Sequence, residues 1–156
     1  MVEDAEFNDG REVPLNLGAV DIEDLRIISS LVQDSIFPIT EMSWYSQKRC
    51  FALLINRFRW EDKGRQRHGA ERVQSVLAFE NVIRVASQSL DRSDPSYVMS
   101  LLCVEFEPID DPAGYVLLTF AGDCAVRLEV EALEVTLKDV TRPYKAPSGE
   151  QPSHSI

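Results

Sequence analysis

Apolar positions recur along this chain at two different periods. After Asp21 the period is helical: Leu25, Ile28 and Val32 form a stripe about 3.6 residues apart, with Ile22 and Leu31 flanking it. Asp21 is placed to cap that helix, its carboxylate accepting from the free N–H groups of the first turn. Glu23 and Asp24 add negative charge at the positive end of the helix dipole. Val20 and Leu25 stand at the two positions of a hydrophobic staple, and Pro38 limits how far the helix can run.

Beyond Pro38 the period shortens to two. Arg49 to Trp60 is rich in Phe, Leu and Ile, and Val73, Leu77 and Phe79 share one parity. Ile83 and Val85 continue a short alternation, and Tyr97 to Phe106 is a longer apolar run. Pro108 to Gly114 reads as a turn. Tyr115 to Phe120 and Ala125 to Val130 flank Ala121–Gly122–Asp123–Cys124 and predict a hairpin. Val126, Leu128 and Val130 alternate with Arg127, Glu129 and Glu131, giving one dry face and one wet one. The parity then slips to Leu133, Val135 and Leu137, so a bulge or bend is expected near Ala132. About seven short strands after one N-terminal helix predict a mainly β (α+β) domain: an antiparallel sheet forming a sandwich, roll or partly open barrel. Residues 1–15 read as a flexible acidic arm, 16–142 as one globular domain and 143–156 as a flexible Pro/Ser-rich tail.

Four segments carry a family resemblance. They are Val20-Asp21-Ile22-Glu23-Asp24-Leu25, Asn56-Arg57-Phe58-Arg59-Trp60-Glu61, Leu90-Asp91-Arg92-Ser93-Asp94-Pro95 with Met99-Ser100-Leu101-Leu102, and Leu118-Thr119-Phe120-Ala121-Gly122 leading into Val126–Glu131. In this order, over about residues 17 to 140, they resemble a small bacterial family known as domain of unknown function twenty-nine forty-eight. The resemblance implies a cytoplasmic bacterial protein; it brings no activity, ligand or catalytic residue with it.

Composition narrows the function classes. The chain has 156 residues, 44% of them hydrophobic and 27% charged, so one domain can bury a core without disulfide or metal. No apolar run approaches the ~20 residues of a membrane span, and the acidic start is no signal peptide. Cys50, Cys103 and Cys124 lie in or beside apolar stretches and read as reduced thiols in a reducing cytoplasm. Only His68 and His154 are available for imidazole chemistry, and no Gly-rich phosphate cradle, nucleophile elbow or zinc motif appears. Asp91 with Asp94 and Asp110 with Asp111 are carboxylate pairs at expected turns, which reads as turn formation rather than metal binding. Glu129 and Glu131 beside Arg127 read as a cross-strand charge ladder. The reading is of a non-enzymatic domain with no catalytic residue, cofactor or metal.

The net charge of −10 disfavours nucleic acid and membrane surfaces as general partners. That charge is uneven. Residues 48–72 hold eight basic groups against Glu61, Asp62 and Glu71, a formal +5, which leaves −15 for the remainder. Arg57 and Arg59 point the same way on one strand and offer paired guanidinium forks, with Phe58 and Trp60 anchoring the other face. With Lys63, Arg65, Arg67 and His68 they form the candidate site for an anion or an acidic partner, such as the acidic arm of this or a neighbouring subunit. Trp44 and Tyr45, next to Met42, are expected in the core, with an exposed aromatic patch as the alternative. The function expected is a binding or interaction domain for a protein partner or for itself, as a homodimer; the alternative is a small-anion or nucleic-acid module on segment 48–72.

Overall fold

A computed structural model of the chain describes residues 13–61 and 70–145. Most of the predicted arm and tail, and the loop bearing Lys63, Arg65, Arg67 and His68, lie outside the described residues. The first strand, β1 (Asn16–Ala19), turns into the helix α1 (Ile22–Val32). Asp21 caps the helix as predicted: its Oδ1 accepts from the Asp24 N–H at 2.8 Å. Leu25, Ile28 and Val32 are buried. The staple is not made, because the alternation of β1 turns Ala19 inward and leaves Val20 70% exposed.

The strands that follow are β2 (Ser35–Pro38), β3 (Met42–Tyr45), β4 (Cys50–Phe58), β5 (Glu71–Phe79), β6 (Val82–Gln88), β7 (Val98–Asp110), β8 (Ala113–Phe120), β9 (Cys124–Val130), β10 (Val135–Asp139) and β11 (Tyr144–Lys145). They make one antiparallel sheet in the order β1-β10-β5-β4-β2-β7-β8-β9-β6, with β3 added to β4 and β11 to β5. The protein is mainly β with one α-helix among the described residues, and the sheet is not closed into a barrel. The hairpin of β8 and β9 forms as the alternation predicted. The bend expected near Ala132 is a crossing: the chain leaves β9 at Val130 and enters β10 at Val135, in the other half of the sheet. β5 and β6 cross between the halves at the same place, where Glu80 N–H donates to Glu134 O and Glu131 N–H to Asn81 O, both near 3 Å.

The sheet rolls around its apolar face. Phe37 of β2 meets Phe120 of β8 edge to face, with 5.9 Å between ring centroids. Phe51, Leu53 and Ile55 of β4, Leu77 and Phe79 of β5, and Val126, Leu128 and Val130 of β9 complete one continuous core. The helix lies on this roll and covers the edge of β7, where Val104 N–H donates to Ser29 Oγ at 2.9 Å. Further along, β7 and β8 approach too closely for a side chain: a β-carbon on Gly114 would stand 2.5 Å from Glu107 O and 2.6 Å from the Phe106 ring.

Candidate binding site

Arg57 of β4 and Arg59, just past its end, are both drawn inward. Burial on this strand falls on Phe51, Leu53, Ile55 and Arg57, so Arg57 shares the core face and is 0% exposed. Its Nη1 and Nη2 donate to both carboxylate oxygens of Glu61 at 2.8 Å. Its Nε and Nη2 donate to Asp139 at 3.1 and 3.0 Å, and Nε also reaches Ser75 Oγ at 3.1 Å. Asp139 in turn accepts from Ser75 Oγ at 2.6 Å and from Leu15 N–H at 2.9 Å. Burial works against the guanidinium charge, yet the hydrogen bonds and charges of Glu61 and Asp139 outweigh it and hold the Arg57 pKa above its ordinary value. Arg59, 2% exposed, donates to Glu71 at 2.8 Å. The pair read from sequence as guanidinium forks for an outside anion thus meets carboxylates of its own chain. On the other parity Phe58 is buried and stacks edge to face on Trp60 at 4.7 Å, while Trp60 Nε1 donates to Gln33 O, so the aromatic anchor holds.

The aromatic pair expected in the core is the one left outside. Met42 is buried, but Trp44 is 37% and Tyr45 52% exposed. They stand on β3 beside a cavity of about 700 Å³ whose floor is Phe51 and Val126 and whose far wall is Val85, Ser87 and Leu90. The reason is topological. Among the described residues β3 pairs only with β4 and β6 only with β9, so each presents an unpaired outer edge. The cavity is the seam across which the roll fails to close. Arg92 is the charged group in its lining; its Nη2 makes one long contact, 3.5 Å, to Met42 O, and among the described residues it meets no carboxylate within ion-pair distance. The sequence reading singled out Trp44 and Tyr45 but missed Arg92, because only tertiary structure brings residues 85–92 opposite β3.

The remaining candidates settle into structural roles. Asp91 accepts from Ser93 N–H at 2.9 Å and Asp94 from Ser96 N–H at 3.0 Å, so both form turns, and these serine contacts lower both carboxyl pKa values. Arg84 approaches Glu129 at 3.8 Å and Arg127 lies 4.5 Å from the Tyr115 ring centre, which makes the charged ladder expected on the wet face. No group of three or more His, Cys, Asp or Glu among the described residues could hold a metal ion.

Cys124 is buried in the core, whereas Cys50 and Cys103 are half-buried. Burial and the nearby Glu80 carboxylate, 3.6 Å from Sγ, push the Cys50 thiol from an ordinary 9.0 up to about 11. Cys50 is therefore expected to react with iodoacetamide at pH 8 about 100-fold more slowly than a free peptide thiol, since the thiolate is the nucleophile. Peptide-resolved mass spectrometry across pH measures this; a rate equal to that of the free thiol would refute it. Because the folded value is the higher one, this thiol favours the folded state below pH 9.0, and that contribution is lost as the pH rises towards 11.

The model of the family described as "Protein of unknown function (DUF2948)" matches residues 15–154. The chain belongs to this family. DUF2948 is uncharacterised, so membership fixes no activity, and the match spans both the buried arginine cluster and the seam. No curated protein and no solved structure matches the chain significantly.

Proposed function

We propose that this protein is a non-enzymatic interaction domain that takes an extended segment of a protein partner into the seam between β3 and β6. The observation that carries the reading is the coincidence of two unpaired strand edges, an apolar floor and two exposed aromatic side chains. Unpaired edges are templates for strand addition, and folded proteins normally cover or blunt them. Here the edge of β7 is covered by α1 through Ser29, whereas the edges facing the seam carry Trp44 and Tyr45 at their rim. Main-chain hydrogen bonds would supply affinity, and the side chains over Phe51 and Val126 would supply selectivity. The anion-binding alternative, with Arg57 and Arg59 engaged internally, rests on Lys63, Arg65, Arg67 and His68, outside the described residues.

Photo-crosslinking tests the reading. A photoreactive residue at Ser43 or Ser87, in cells of the source organism, is expected to give a discrete protein adduct, whereas one at exposed Lys138 on β10 gives none. Identical adduct patterns at all three positions, or no adduct from the seam, would overturn it.

A further inference from the structure

We infer that the segment occupying the seam is the acidic arm, residues 1–12, of a second copy of this chain; the inference rests on the seam being a strand-addition site. Two properties of the seam constrain its occupant. Its charged lining group is the cation Arg92, held level with Met42 by the contact to Met42 O, while the aromatic surface lies two residues further along, at Trp44. Residues two apart on a strand face the same way, roughly 7 Å apart. A segment running antiparallel to β3 therefore presents an apolar side chain first and a carboxylate two residues later.

The arm carries that pattern. It holds Glu3, Asp4, Glu6, Asp9 and Glu12, with Phe7 two residues before Asp9. With Phe7 against Trp44 and the apolar floor, Asp9 falls level with Arg92 and supplies the carboxylate that the guanidinium lacks. The same spacing occurs at Met1/Glu3 and Val2/Asp4, but Phe7-Asn8-Asp9 is the register that sets an aromatic side chain against Trp44.

Strand register assigns the arm to a second copy. Asn16 is level with Lys138, Lys138 with Val76, Val76 with Leu54, and Phe51 with Trp44. The chain before Asn16 runs away from the Phe51 end of β4, so Val13 lies roughly 20 Å along the strand direction from Trp44. Strands β10, β5 and β4 separate them laterally as well. From Val13 back to Phe7 the chain spans at most ~20–22 Å. An arm from its own copy falls short; one from a neighbouring copy, placed with its β1 end near this seam, does not.

The test uses the full chain. A photoreactive residue at Ser43 in a mixture of isotopically light and heavy copies is expected to crosslink light seam to heavy residues 1–12. Asp9→Arg and Arg92→Asp are each expected to weaken self-association about tenfold, the scale of one lost charge-assisted bond. The double variant is expected to restore it to within about threefold, as an inverted ion pair would. Circular dichroism of each variant distinguishes lost association from lost folding. Crosslinks confined to one copy, or a double variant no better than its singles, overturn the inference. Adducts to other proteins alone overturn it while leaving the seam reading standing, and no adduct from Ser43 overturns both.

Discussion

Replacing Asp139 by alanine is expected to cost about 3–5 kcal/mol of folding stability, because it strands a buried charge. Arg57 is fully buried, and Asp139 is one of the two carboxylates that neutralise it. The substitution removes two of its hydrogen bonds and also takes the acceptor from the Ser75 hydroxyl and the Leu15 N–H. Glu61 remains, but it is the more exposed carboxylate, with a quarter of its side chain in solvent. Arg57→Met should be costly for the mirror-image reason, leaving Asp139 without its cation. The double variant removes both charges together and should cost less than the sum of the singles by at least ~1 kcal/mol, since contacting charged groups do not behave additively. Urea unfolding of all four proteins measures the cycle. An Asp139→Ala cost below ~1 kcal/mol, typical of an exposed pair, would show that the cluster does not hold β4, β5 and β10 together.

Gly114→Ala should be the next most damaging change, at about 1–3 kcal/mol, the usual cost of forcing atoms into packed space. The new methyl meets a backbone carbonyl at 2.5 Å and an aromatic ring at 2.6 Å. The ring can turn; the Glu107 carbonyl belongs to the ladder of β7 and β8 and can move only with the strand. Relief therefore requires the two strands to separate locally. Thermal unfolding detects the loss, and Phe106→Ala in the same background separates the two contacts. Removing the ring should recover only part of the cost, and full recovery would place the conflict on the side chain instead of the backbone.

Although its staple is not made, the helix was legible in its cap and stripe, local patterns that any packing partner satisfies. So was the β8–β9 hairpin. The slip in parity after Val130 was visible as well, but its meaning was not: a bulge and a crossing between sheet halves leave the same trace in sequence. Arg57 is more instructive. Phe51, Leu53, Ile55 and Arg57 share one parity, so its burial was readable, had those three residues outweighed Phe58 and Trp60 in choosing the inward face. Its partner Asp139 was not readable, because pairing across β4, β5 and β10 depends on topology. The same limit hid the seam: an exposed Trp44 follows from which strand fails to appear beside β3, and no local pattern records a missing neighbour.

The place of β10 carries a consequence for synthesis. This strand lies between β1 and β5, so both depend on residues near the end of the described chain for one edge. During translation β4 and β5 can pair as soon as Phe79 emerges, but the free side of β5 must wait for Asp139. At ribosomal speeds of about 5–20 residues per second, that wait lasts on the order of 3–12 s. The nascent chain spends that time with half a sheet and an open hydrogen-bonding edge, and Arg57 stays without Asp139 until it ends. A stall before β10 would prolong the exposure of that edge, a template for unwanted strand pairing.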